Sequence, residues 1–263
     1  MLRYKEKQNF DARFAQTEAA VEQWQEATSG AAKQLRQEFG KRLQISLIYH
    51  DAALEGDVLT YSEIKAAVDP SIISDSSLIP SYESIKRYYD ACQFAYQFAG
   101  GKKKVFKLET LREIYSILAV EEKEKGLPYR KENPLHRLYY HEIANPEKIP
   151  QLMRKLGKWL EEPATRHLHP IERVAQTHFK IMRIFPWAKQ SGRCARIASN
   201  LLLRQASYPI AVIHSIDRQA YYESLRNDYK GLLSVYLEAV ETAALSEVRL
   251  YEEAARSPRR RRA

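Results

Sequence analysis

The chain has 263 residues, 44% of them hydrophobic and 29% charged, with 17 tyrosines but only 9 glycines. That length can bury a real core, and so few glycines argue against a turn-rich sandwich or barrel and for a helix-rich domain. The formal charge is +9, but Arg259–Arg262 carry four of those charges, so the body is only mildly basic. No apolar stretch is long enough to cross a membrane and the charged start has no signal-like core, which predicts a cytoplasmic protein.

From Phe14 to Tyr49 the chain is nearly free of breakers, and Val21, Trp24, Ala27, Ala31, Leu35 and Phe39 recur at roughly helical spacing. This predicts one long helix or two consecutive ones, interrupted at Gly30 and Gly40 and stopped near Gly56. YSEIKAAV predicts a short helix ended by Pro70. SYESIKRYYDACQFAYQFA and LETLREIYSILAVEEKEKG predict an antiparallel helix pair, the second with an apolar stripe of Leu111, Ile114, Tyr115 and Leu118. LPYRKENPLHRLYYHEIANPEKIP, with four prolines and successive aromatics, predicts a short β-hairpin. Helices resume at IPQLMRKLGKWLEE, HPIERVAQTHFKIMRI, SGRCARIASNLLLRQA, DRQAYYESLRNDY and GLLSVYLEAVETAALSEVRLYEEAA. The predicted fold class is all-α with one embedded hairpin.

The segment RIFPWAKQSGRCARI, residues 183–197, reads as an anion-binding turn. Its Gly192 leads into Arg193 and Arg196, which fall three apart on one face of a new helix. His178 shares its spacing with Ile171, Val174, Ile181 and Met182, which predicts a core histidine rather than a base. Cys92 and Cys194 have neither disulfide nor metal-ligand spacing, and packing is the role read for Cys194 over that of a reactive thiol.

HFKIMRIFPWAKQSGRCARIASNLLL resembles the signature region of Fic-domain (Fic/DOC) proteins, whose motif reads HPFx(D/E)GNGRxxR. Pro186, Gly192, Arg193 and Arg196 match it, as do His178 and Ile184 upstream. DAALEGD resembles the family's inhibitory motif (S/T)xxxE(G/N), with Glu55 and Gly56 matching and Asp51 at the Ser/Thr position. The resemblance covers roughly residues 40–240. It implies a helical fold that transfers AMP from ATP to a protein hydroxyl. In that scheme the motif His takes the hydroxyl proton, the motif acid holds Mg²⁺, and the Gly-Asn-Gly backbone and arginines cradle phosphates. The hairpin, or flap, which here carries Leu138, Tyr139 and Tyr140, adds the target segment as a strand. The resemblance also implies that Glu55 pairs with Arg196 and keeps nucleotide from binding productively.

The chain departs from that motif at the reacting positions. Phe185 stands for the catalytic His, Trp187 for the Phe, Lys189 for the metal-binding acid, Gln190 for the first Gly and Ser191 for the Asn. A benzyl ring accepts no proton, and an ammonium repels a divalent cation. The expected function is therefore that of a catalytically degenerate protein with no catalytic residue and no metal site. Its role would be to bind nucleotide (ATP, ADP or AMP) or phosphate without Mg²⁺, or a protein partner at the flap. One alternative is an active nucleotidyl- or phosphotransferase in which Lys189 replaces the metal's charge. Another is a helical interaction protein that contacts nucleic acid or acidic membranes through Arg259–Arg262. For the anion-site residues Lys189, Ser191, Gly192, Arg193 and Arg196, either a bound anion or internal ion pairs satisfy the arginines. Ser191 is expected to cap its helix, and Gln190 to be strained if its φ is positive. Phe185 and Trp187 are expected to fill the vacated site, and His136 and His141 to be exposed flap residues. His50 carries no distinguishing signal. The expected organisation is one domain over residues 1–250, with an inhibitory region at 40–70, the flap at 127–150 and the motif at 171–206, followed by a basic tail at 251–263.

Overall fold

The computed structural model describes residues 10–69, 71–72, 81–101, 104–134 and 141–256. The N-terminal breaker-free stretch forms two helices, α1 (Phe10–Gly30) and α2 (Lys33–Glu55), so Gly30 ends a helix whereas Gly40 is carried inside one. Gly56 stops α2: its φ of 97° is one a side chain rarely adopts, and it lets the amide reach back to the carbonyls of Ala52 and Ala53. α3 (Tyr61–Val68) opens on a capping box between Thr60 and Glu63. α4 (Tyr82–Gly100) and α5 (Leu108–Leu118) are the predicted pair and pack on each other. The second breaks at Ala119 and continues only as the single turn α6 (Val120–Lys123).

The remaining helices are α7 (Ile149–Glu161), α8 (Pro163–Arg166), α9 (Pro170–Ile184), α10 (Ser191–Gln205), α11 (Arg218–Ser224) and α12 (Tyr229–Arg256). α10 is the axis of the fold. Every residue from Ser191 to Leu203 is buried, because α4 and α5 flank it on one side and α9 on another. α9 in turn packs on α12, and α12 on α1. A polar residue on α10 must therefore find its partner inside the protein, since burying an unmatched charge is costly.

The predicted hairpin is not found among the described residues, which contain no strand. Residues 124–134 and 141–148 run irregularly, apart from a 3₁₀ turn at Pro146–Lys148. His136, Leu138, Tyr139 and Tyr140 lie outside the described residues. His141, expected to be exposed, is buried with its Nε2 3.1 Å from the Met182 carbonyl. The segment is held by tertiary contacts instead. Its Arg130 and Ala144 amides donate to the carbonyls of Pro186 and Arg183, which lie on either side of the junction where α9 ends and the loop to α10 begins.

Candidate functional site

The α9–α10 loop, residues 185–190, is bounded by two non-glycine residues in left-handed conformation, Phe185 (φ 46°) and Gln190 (φ 66°). Each such residue costs about 1–2 kcal/mol relative to right-handed backbone, so surrounding contacts must hold the loop. Phe185 is 1% exposed. Its amide donates to Ile181 O at 2.7 Å, and its carbonyl accepts from Arg130 Nε at 2.6 Å. The same guanidinium donates to the carbonyls of Ile184, Ala144 and Glu132 and to Asn133 Oδ1. No carboxylate neutralises Arg130 in these contacts, and burial pulls its pKa down. The carbonyl end of the α9 dipole compensates.

Trp187 is also buried, stacked on Tyr115 with ring centroids 4.0 Å apart and planes 9° from parallel. Its indole N–H is buried without a partner among the described residues. Ser191 corrects a sequence expectation. It is the first residue of α10 rather than its cap, and its hydroxyl ties the loop instead, donating to Trp187 O at 2.8 Å and accepting from Trp187 N at 3.0 Å. Gln190 occupies the cap position, and its left-handed φ is the strain anticipated for it. Its side-chain oxygen accepts from Arg193 Nη1 at 3.3 Å. Lys189 is exposed on the outer side of the loop.

The arginines face α2. Arg193 Nε lies 3.0 Å from Asp51 Oδ2, and Arg196 Nε donates to Asp51 Oδ1. One carboxylate thus bridges both guanidinium groups, at 2% side-chain exposure. Glu55, one turn after Asp51 on α2, accepts from Arg196 Nη2 at 2.6 Å. Gly56 then turns the chain so that Asp57, 56% exposed, meets Arg193 Nη2 at 2.7 Å. Burial alone would lower the pKa of both arginines, but the Asp51 carboxylate, with Glu55 and others, overrides it and both are raised. A methyl group on Gly192 would sit 2.5 Å from Glu55 Oε1 and 3.1 Å from Arg196 Nη1. The Glu55 carboxylate therefore lies against the first turn of α10, where the helix dipole favours an anion. Of the five anion-site residues proposed from sequence, Gly192, Arg193 and Arg196 come together around carboxylates of the chain itself. Ser191 is committed to the loop, and Lys189 is on the surface.

His178 is a buried core histidine. Nδ1 is hydrogen-bonded to the Tyr236 hydroxyl at 2.6 Å and Nε2 to the Tyr221 hydroxyl at 2.9 Å. Burial, then Arg196 and His141, hold its pKa well below 6.5. Tyr221 also accepts from Arg196 Nη1 at 3.2 Å, so the histidine buttresses the arginine without approaching the loop's surface. Cys194 is fully buried and its thiol is shifted upward by that burial, which suits packing rather than reactivity.

Two residues of this network were not read from the sequence. Asp51 was noted only as a mismatch at a hydroxyl position, and Asp57 was not singled out. The available signal was stoichiometry: two arginines on a buried helix need more than one carboxylate, and Asp51 and Glu55 share a face of α2.

Comparisons with known proteins bear on this arrangement. Residues 105–203 match the model of the Fic/DOC family. A protein adenylyltransferase Fic of Nematostella vectensis is 26% identical over 194 residues, 73% of this chain and 45% of that protein. One of Culex quinquefasciatus is 23% identical over 214 residues, 80% of this chain and 42% of its own length. The chain thus spans less than half the length of these curated relatives. Among solved structures, a Fic domain containing signaling protein from Bacteroides thetaiotaomicron superposes with a TM-score of 0.73 at 21% identity, covering 91% of this chain and 97% of that one. Fic-1 from C. elegans does so with 0.75 at 18% identity, covering 93% and 73%. At such identities the structures speak for the fold alone.

Proposed function

We propose, from the premise that this chain is a Fic-domain protein related to adenylyltransferases, that it has lost AMP transfer and that its motif cleft is closed by its own carboxylates. The reading is carried by Phe185. It stands where the family has its proton acceptor, and it is a buried benzyl group with nothing to titrate. General-base catalysis contributes about 10²- to 10⁴-fold to such a reaction.

Two further observations support it. The residues present do not fit a divalent cation: Lys189 offers an ammonium at the motif's acid position, and Asp51, Glu55 and Asp57 are each bound to arginine. The arginines that would cradle phosphates are also already matched, Asp51 spanning both. Nucleotide would have to displace Glu55 from Gly192 and compete with a carboxylate that is part of the core. Under this reading the protein acts by binding. Its ligand class is a protein partner; nucleotide, held without Mg²⁺, enters only once the internal carboxylates are removed.

The test is transfer itself. Purified protein incubated with ATP labelled at the α-phosphate, with Mg²⁺ or Mn²⁺, is expected to label neither itself nor added lysate, before or after Glu55→Gly. Incorporation by either form that Arg193→Ala abolishes would defeat the proposal.

A further inference from the structure

A cavity lies on the α2 side of the C-terminal half of α10, lined by none of the loop residues 185–190. The buried residues of α2 cluster between Leu47 and Leu54, with Phe39 alone in the first half. The N-terminal half of α2 therefore stands over an open cleft of about 1000 Å³, floored by α10 and α4 and walled by α1 and α12. Lys33, Arg36, Gly40 and Lys41 all line it, at the i, i+3, i+7 and i+8 positions of one helix face. Lys41 acts electrostatically on Asp69 and Arg36 on Tyr251, so the three cations give this face a net positive field. The acids of the cleft are occupied: Glu38 pairs with Arg42 at 2.8 Å, and Glu247 accepts from Trp24 Nε1 at 2.9 Å.

The cleft narrows to a chamber of about 80 Å³ lined mainly by apolar side chains, among them Leu43, Ala95, Ile197 and Ile210, with Gln44 and Asn200 beside them. Arg204 lines both spaces, its guanidinium 4.0 Å over the Tyr96 ring. Burial lowers its pKa, opposed by Tyr96 and Glu247, and burial raises that of Glu247, opposed by Trp24 and Arg204. Gly40 stands at the junction. A glycine inside a helix is a conformational cost, and here a Cβ would meet nothing within 4 Å. No packing constraint in the fold calls for a glycine at this position. Its effect is to leave the passage from cleft to chamber open.

We propose that this cleft is a binding site for a small amphipathic anion, a carboxylate with an aliphatic tail. The head lies among the rim cations and Arg204, and the tail enters the chamber past Gly40. The combination separates this ligand from a nucleotide, whose flat base has no place in a narrow, mainly apolar pocket.

Calorimetry with sodium octanoate on the full chain tests it. One-to-one saturable binding is expected, tightening about fourfold per methylene from hexanoate to octanoate. Uncharged 1-octanol should bind about tenfold more weakly. Gly40→Leu should weaken octanoate at least about tenfold by filling the passage, while the melting temperature holds or rises because a helix interior gains a better helix former. Absence of saturable octanoate binding, equal affinity for octanol, or an unchanged Kd in Gly40→Leu would overturn the site. Binding of AMP in place of octanoate, blocked by the same substitution, would overturn the ligand class.

Discussion

Replacing Asp51 with Asn removes one charge from the middle of the arginine network and little else. Asp51 contacts both guanidinium groups at 2% side-chain exposure, so the variant leaves two buried cations each with one outer carboxylate among these contacts, Glu55 for Arg196 and Asp57 for Arg193. Breaking a buried pair by deleting one partner costs about 3–5 kcal/mol. Glu55→Gln is milder, since Glu55 is 15% exposed and Arg196 keeps Asp51; the loss of one charged hydrogen bond is worth about 1.5–3 kcal/mol. Asp57 is 56% exposed, and its ion pair with Arg193 is worth at most about 1 kcal/mol. Urea denaturation at pH 7 should therefore rank Asp51→Asn above Glu55→Gln above Asp57→Asn. A second readout connects the network to binding. Inorganic phosphate should raise the melting temperature of Asp51→Asn and leave the parent unchanged, because only the variant has an arginine pair in need of an anion. At ten times its Kd, phosphate adds about 1.4 kcal/mol, or a few degrees for a domain of this size. A cost below about 1 kcal/mol for Asp51→Asn, or a parent protein as responsive to phosphate as the variant, would refute the reasoning.

Other substitutions probe separate parts of the site. Gly192→Ala places a methyl 2.5 Å from Glu55 Oε1 and should cost about 1–3 kcal/mol by overpacking; in a Glu55→Ala background that cost should vanish, which a double-mutant cycle measures. Arg130→Ala removes a guanidinium donor from the Phe185 and Ile184 carbonyls, and from those of Ala144 and Glu132, and should destabilise by about 3 kcal/mol or more. Arg130→Lys should recover little of that, because an ammonium has no planar fork to reach several carbonyls at once. His178 is held neutral in the fold, its pKa well below 6.5, whereas the unfolded chain takes up the proton near 6.5. Its contribution is complete above that pH and is lost as the pH falls below it, by about 1.4 kcal/mol per pH unit until the folded-state pKa is reached. Denaturant titrations between pH 7 and 5 should show this slope, and His178→Asn should flatten it.

The helices were legible because their apolar spacing is regular and their ends carry ordinary stop signals, as at Gly56 and Pro70. The approach of Glu55 to Arg196 came from the resemblance, not from spacing. What escaped depends on partners far away in sequence. Arg130 looks like one more cation between two prolines until the carbonyls at the end of α9 are beside it. Ser191 has the sequence position of a cap, but the left-handed turn at Gln190 shifts the helix start by one residue and sends the hydroxyl to Trp187. The prolines and aromatics of residues 127–150 mimic hairpin composition. In the described parts of that segment the backbone bonds instead to the α9–α10 loop, a pairing that local patterning does not encode. His141 is buried for the same reason.

The most direct measurement is a titration of ATP, with and without Mg²⁺, into the parent protein and into the Asp51→Asn/Glu55→Gln double variant. Arginines matched from within and a lysine in place of the metal's ligand predict no saturable binding to the parent, and binding to the double variant that Mg²⁺ does not tighten. Tight binding of ATP to the parent, strengthened many-fold by Mg²⁺, would contradict the account.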